Sequence, residues 1–190
     1  MKKIVALMLA LILALGLTAC GGSKASETTK DDTEGKSAVQ ILEDVWAAYD
    51  GEKFAIAGGD YENMVMDAPG SVKVSDGEML DALLGYPAAS AGLIDDGASM
   101  MHMMNQNTFT AGVYHVAKAD DVQAVADALK ENIMNRQWMC GFPDDLVIYS
   151  VGASYVVAAF GAEDVVDNFE DALAGAYASA KVLYDEDLTF

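Results

Sequence analysis

Met100-Met101-His102-Met103-Met104 is the densest run of metal-capable side chains in this 190-residue chain. Thioethers and an imidazole are soft ligands of the kind that suit Cu(I). In an extended segment alternate side chains share a face, which would put Met100, His102 and Met104 on one side and Met101 and Met103 on the other. Met100, His102 and Met104 are therefore the candidate copper ligands. Methionine also fills irregular gaps in cores, and core packing is the favoured reading of the run. Cys140 is a second reactive group, a candidate redox thiol or nucleophile. Catalysis would need a base, and His102 and His115 are the only histidines. His115 falls in a predicted strand, where packing or a structural hydrogen bond is the favoured role, and Cys140 reads as a buried, inert thiol. Paired acids stand at Asp95-Asp96, Asp120-Asp121, Asp144-Asp145 and Glu163-Asp164. They could bind cations or move protons, but helix starts and turns favour carboxylates for local reasons. None has EF-hand spacing, and no phosphate-loop, Ser/His/Asp or zinc CxxC pattern occurs. The residues offer no catalytic set, and no cofactor is expected.

The first twenty residues carry a more specific chemistry. Met1-Lys2-Lys3 is a basic start, Ile4 to Leu17 is almost unbroken apolar sequence, and Leu17-Thr18-Ala19-Cys20 closes it. That order is the pattern of an export signal, and the run is shorter than the roughly 20 apolar residues a spanning helix needs. A cysteine directly after small residues resembles the lipobox of bacterial lipoproteins. The resemblance implies diacylglycerol, including palmitate, on the Cys20 sulfur and cleavage before it. It places the chain on the outer face of the cell membrane, lipid-anchored and extracytoplasmic. Two acyl chains hold a protein stably where one gives only marginal binding.

Cleavage after residue 19 leaves 171 residues, enough for one domain with a real core. It also removes Lys2 and Lys3, so the net charge of −19 becomes −21. That balance excludes nucleic acid as a partner, because phosphate binding needs Lys and Arg to displace counterions. It likewise disfavours anionic lipid, so contact with the membrane rests on the anchor at Cys20. With Cys20 acylated, Cys140 has no partner within the chain, and the core must supply stability without a disulfide.

The elements that position these groups follow from the pattern. Residues 21–36 hold one apolar side chain larger than glycine, Ala25, and read as a disordered tether. Sixteen such residues average roughly 20–25 Å end to end and stretch to about 50 Å. Ser37 and Gln40 form a capping-box pair that starts the fold. Val39, Leu42, Trp46 and Tyr49 then recur at helical spacing. Residues 50–75 are punctuated by Gly51, Gly58-Gly59 and Pro69-Gly70 and give no clear element. Asp76 caps a short helix that buries Met79, Leu80, Leu83 and Leu84 and ends at Gly85. Phe109 to Ala117 reads as a strand. Asp120, with Gln123 in the box position, starts a long helix lined by Val122, Val125, Leu129 and Ile133. Leu146 to Val151 and Tyr155 to Phe160 form a hairpin across Gly152-Ala153-Ser154. A last helix starts at Glu163-Asp164, carries its stripe to Ala180 and ends at Lys181, leaving Asp185-Glu186-Asp187 loose.

The expectation is an α+β fold in which an antiparallel or mixed sheet carries helices on one face. Residues 37–88 supply an N-terminal helical part and residues 89–184 the α+β core. The strand-helix-strand-strand-helix order resembles a ferredoxin-like split βαβ arrangement. A wider resemblance covers residues 79–180. It is carried by the Leu-rich helix ending in glycine, Thr110-Ala-Gly-Val-Tyr-His-Val-Ala117, Ala119-Asp-Asp-Val-Gln-Ala-Val, and the hairpin Val147-Ile-Tyr-Ser-Val-Gly-Ala-Ser-Tyr-Val-Val. This stretch resembles an uncharacterised family of small lipoproteins of Gram-positive bacteria, a domain of unknown function. The resemblance implies a lipidated, exported, non-enzymatic domain and leaves the molecular function open. It brings no catalytic residues. The lipobox, the polar tether and the lack of a catalytic set favour an anchored binding or accessory domain with an envelope protein partner. The alternative is a copper or redox protein using the Met/His segment and Cys140. The working surface is expected on the sheet face or in residues 50–108.

Overall fold

The computed structural model describes residues 32–139 and 141–188. Of the two units of the chain, Met1–Lys30 lies outside the described residues and Asp31–Phe190 carries the fold. The apolar run, Cys20 and Cys140 thus lie outside them. Among the described residues no helix is long and apolar enough to cross a membrane.

Helix α1, Ala38–Ala48, starts as the sequence predicts. Ser37 accepts from the Gln40 amide while the Gln40 side chain accepts from the Ser37 amide, satisfying two otherwise orphaned donors. The unreadable segment 50–75 supplies three very short strands, β1 (Ile56–Gly58), β2 (Val65–Met66) and β3 (Gly70–Ser71). Helix α2, Gly77–Leu84, is capped by Asp76, which accepts from the Met79 amide, and closed by Gly85 in the left-handed conformation. A 3-10 turn, Ala88–Leu93, leads into the long hairpin of β4 (Ile94–His102) and β5 (Phe109–Val116). Helix α3 (Val122–Met134), β6 (Asp145–Val151), β7 (Tyr155–Gly161), α4 (Glu163–Ala176) and β8 (Lys181–Asp187) follow.

The eight strands form one antiparallel sheet in the order β2-β1-β4-β5-β7-β6-β8, with β3 paired to β4. The α+β class and antiparallel pairing are as expected. The helix placement is not, because helices cover both faces. Ile41, Leu42 and Val45 of α1 and Val166, Phe169 and Leu173 of α4 pack on Ala111, Val113, Val147 and Val157. Leu80, Leu83 and Leu84 of α2 and Val125, Leu129 and Ile133 of α3 pack on Tyr114, Ile148, Val156 and Phe160.

Topology explains the second layer. Because β5 and β6 both run antiparallel to β7, the α3 crossover joins parallel strands. Because β7 and β8 both run antiparallel to β6, so does the α4 crossover. Both step the same way across the sheet, from strands of opposite direction. Crossovers of one hand must then lie on opposite faces. In a ferredoxin-like sheet the last strand would return beside β5 and bring both helices to one face. Here β4 already occupies that side of β5, so β8 closes the far edge.

Four further expectations are corrected. The last helix stops at Ala176, and Lys181–Asp187 is a strand pairing with β6. Helix α3 begins at Val122 after a 3-10 turn at Ala119–Asp121, and neither Asp120 nor Asp121 caps it. Gln123 instead donates to Asp127 and Tyr184. The fold starts before Ser37, since Thr33 is buried and Asp32 accepts from the Ser179 amide and hydroxyl. The N-terminal half is not a helical annexe either. β1 and β3 hydrogen-bond to β4 within the common sheet, and a close approach of glycines permits it. A Cβ at Gly58 would lie 2.3 Å from the Gly70 amide nitrogen.

The fold has two distinct ends. At one end the chain enters, with the Ala38 amide donating to Asp96 and the Tyr155 hydroxyl to the Lys36 carbonyl. At the other lie His102, the 103–108 loop, Phe142 to Asp145, Gly161 to Asp164, and Asp187, joined by the registers Asp145↔Gly161 and Asp145↔Asp187.

Candidate functional site

The Met/His segment ends β4 and its side chains diverge. Met100 is fully buried beneath α1, and Met101 is buried on the opposite face. Met103 and Met104 lie beyond the strand, 43% and 79% exposed. Met100, His102 and Met104 are thus not brought to one point. Two of the four methionines fill core and two face solvent. The His102 Nδ1 accepts from the Met104 and Asn105 amides at 3.2 Å, and its ring stacks on Phe54 at 5.1 Å between centroids. With Tyr49, Thr108, Asp164 and Asn168, these rings line a cavity of about 240 Å³. Lys53 sits beside it with its ammonium 4.0 Å above the Trp46 ring. His115 makes a structural contact, its Nδ1 meeting the Asp95 carboxylate.

The larger site gathers acids that the sequence shows only as separate pairs. Asp144 precedes β6 and Asp145 opens it, Glu163 opens α4 just after β7, and Asp187 closes β8. Pairing of these strands brings all four carboxylates around one cavity of about 580 Å³, walled by Phe142, Pro143 and Leu188. Such a volume is in the range of small-molecule sites. Among the described residues, no lysine, arginine or histidine forms an ion pair with any of the four.

Asp145 is the centre of this arrangement. It is 7% exposed, and one carboxylate oxygen accepts from the Leu146 amide at 2.8 Å. Burial raises its pKa, the Leu146 amide opposes this, and Asp185, Asp167 and Asp187 raise it further. Glu170 on α4 is raised in the same way, by burial first, against the hydrogen bond it accepts from Tyr149. The buried Asp60 has the opposite environment. It accepts from the Glu62, Asn63 and Lys73 amides and from the Asn63 side chain. Burial would raise Asp60 too, but these donors outweigh it and hold the carboxyl below its ordinary value. Donors hold one of these carboxyls low, while burial and neighbouring acids hold the other high.

Strand β8 divides its charges between the two faces. Glu186 pairs with Lys130 of α3, and Tyr184 donates to Asp127 of the same helix. Asp185 and Asp187 share the other side with Asp145 and raise its pKa without an ion-pair partner among the described residues. The neighbouring loops present apolar tips. Met139 is 80% and Phe142 61% exposed, and Asn107 ties the two loops together by donating to the Met139 and Gly141 carbonyls.

Sequence reasoning found Asp144-Asp145 and Glu163 but explained them by local backbone needs, and it left Asp187 in a loose tail. The β-prone run Val182-Leu183-Tyr184 was the available signal that this tail is a strand. No family model matches this chain, and no curated protein or solved structure is significantly similar to it.

Proposed function

We propose that this chain is an extracytoplasmic lipoprotein, held on the outer face of the cell membrane by acyl chains on Cys20. It acts as a binding or accessory domain for an envelope protein. The observation that carries this reading is the polarity of the folded unit. The tether enters at the end marked by Lys36, Asp96 and Tyr155. The two cavities and the exposed side chains of Met103, Met104, Met139 and Phe142 lie at the other end. Helices cover both sheet faces, so the expected use of an open sheet face gives way to the loops at the cavity end, which include the 103–108 part of the nominated 50–108 region. Soft methionine tips suit adaptable docking surfaces, and the acidic rim of Asp144, Glu163 and Asp187 selects a basic partner.

Affinity capture from intact membranes tests this, using the lipidated chain and a Met104→Asp/Phe142→Asp double variant. A stoichiometric basic partner held by the parent and lost from the variant is the expected result. Equal capture by both would overturn the assignment of this end.

A further inference from the structure

We propose that the open edge of β8 takes up an extended segment of the partner as a further strand of the sheet, and that it selects a segment with lysine or arginine at alternate positions. This deepens the preceding reading and rests on the partner being a protein.

The backbone of β8 comes first. It is the last strand of the sheet, and among the described residues no strand lies beyond it. With seven residues it is long enough to pair with a neighbour, whereas β2 at the opposite edge has two. In an antiparallel ladder successive residues turn their N–H and C=O groups to opposite sides. The Leu188 amide donates to the Asp144 carbonyl, and Asp187 stands opposite Asp145. Leu188, Glu186 and Tyr184 therefore bond inward to β6, and Asp185 and Asp187 turn their backbone groups to the open side. The register shift between Ile148 and Tyr149 leaves Leu183 out of the ladder, so the regular edge runs from Tyr184 to Leu188. Lys181, the one base of β8, lies beyond that shift. Unpaired donors and acceptors in a row are what an added strand satisfies.

The side chains then choose the strand. Alternation sends Tyr184 and Glu186 to the α3 face, where they meet Asp127 and Lys130. Asp185 and Asp187 take the other face, are exposed, and have no ion-pair partner among the described residues. An incoming antiparallel strand places two residues, one position apart from each other, directly opposite them. Opposite charges in such cross-strand pairs are favourable and like charges unfavourable. A basic-x-basic segment is admitted, and the β8 edge of a second copy is refused. The backbone supplies the affinity, and the two charges set register and specificity.

The test uses the full-length protein in non-ionic detergent, with fluorescence anisotropy for affinity and NMR amide exchange for location. The probe is the peptide amide Lys-Val-Lys-Val-Lys-Val-Lys. Its controls are the same peptide with N-methylated lysines and the Glu-Val counterpart. The probe is expected to saturate one site and to slow exchange of the Asp185 and Asp187 amides. N-methylation keeps the charge and removes the donors that face β8, so it should weaken binding by about tenfold or more, the scale of two lost amide hydrogen bonds. Asp185→Pro removes an outward N–H and no bond to β6, and should weaken binding to the same extent. Asp185→Lys, which leaves the backbone intact, should weaken it too and serves as the second variant. The Glu-Val peptide should not bind. Equal affinity for the N-methylated peptide would show attraction by charge alone and overturn the proposal, as would unchanged exchange at Asp185 and Asp187 or no saturable binding. Membrane capture of a partner through Met104 and Phe142 does not depend on β8, so the two readings can fail separately.

Discussion

At the scale of single residues, the contrast between Asp60 and Asp145 has a consequence for stability. A carboxyl whose pKa is raised in the folded protein binds its proton more tightly there than in the unfolded chain. As pH rises from the ordinary carboxylate value of 3.8, the unfolded chain gives up its proton first. Stability therefore falls until the raised folded pKa is passed and is then level. Asp145→Asn removes that loss while keeping the hydrogen bond to Leu146. The variant should melt above the parent at pH 7, with the gain vanishing below about pH 3.8. Paired thermal melts across this range check the sign. A variant equally stable or less stable at pH 7 contradicts the described burial of Asp145. Asp60 is held low instead, so its contribution to stability is present at neutral pH and is lost as pH falls through its depressed folded pKa.

At the scale of elements, legibility followed the range of the interactions. The caps at Ser37 and Asp76 and the turn at Gly85 are made by residues a few positions apart, and a sequence displays them. β1, β2 and β3 are two or three residues long, too short for any periodicity. They exist because backbones meet across the segment. Gly58→Ala, with no room for its Cβ beside Gly70, should cost about 3 kcal/mol, as overpacking against an immovable backbone does. A chemical denaturation midpoint close to that of the parent would disprove the close contact. The second helical layer was legible in one strand. β7 is Tyr155-Val-Val-Ala-Ala-Phe160, apolar at every position and buried throughout. A strand with no polar face is covered on both sides, and the one-face expectation passed over that signal. The acidic cavity had no comparable trace, because strand pairing assembles Asp145, Glu163 and Asp187 from distant segments.

At the scale of the whole molecule, the proposed function assigns attachment and recognition to different parts of the chain. Under the proposed anchoring, Cys20→Ser should abolish acyl labelling and move the protein from the membrane fraction to the soluble one. The folded unit should be unaffected, since Asp32 and the residues after it supply its described contacts. Unchanged membrane fractionation of the variant would contradict the lipid anchor, and a shifted melting temperature would contradict the independence of the fold.

The two edges of the sheet bear on this separation. One edge ends in β2, a strand of two residues, and the other in β8, which finishes Asp185-Glu186-Asp187. Proteins held on a membrane are confined to two dimensions, where neighbours collide far more often than in bulk water. An edge that is too short, and one that repels its own copy, give no template for strand addition between them. Under the proposed anchoring, the position of β8 beside β6 would disfavour edge-to-edge pairing between neighbouring copies.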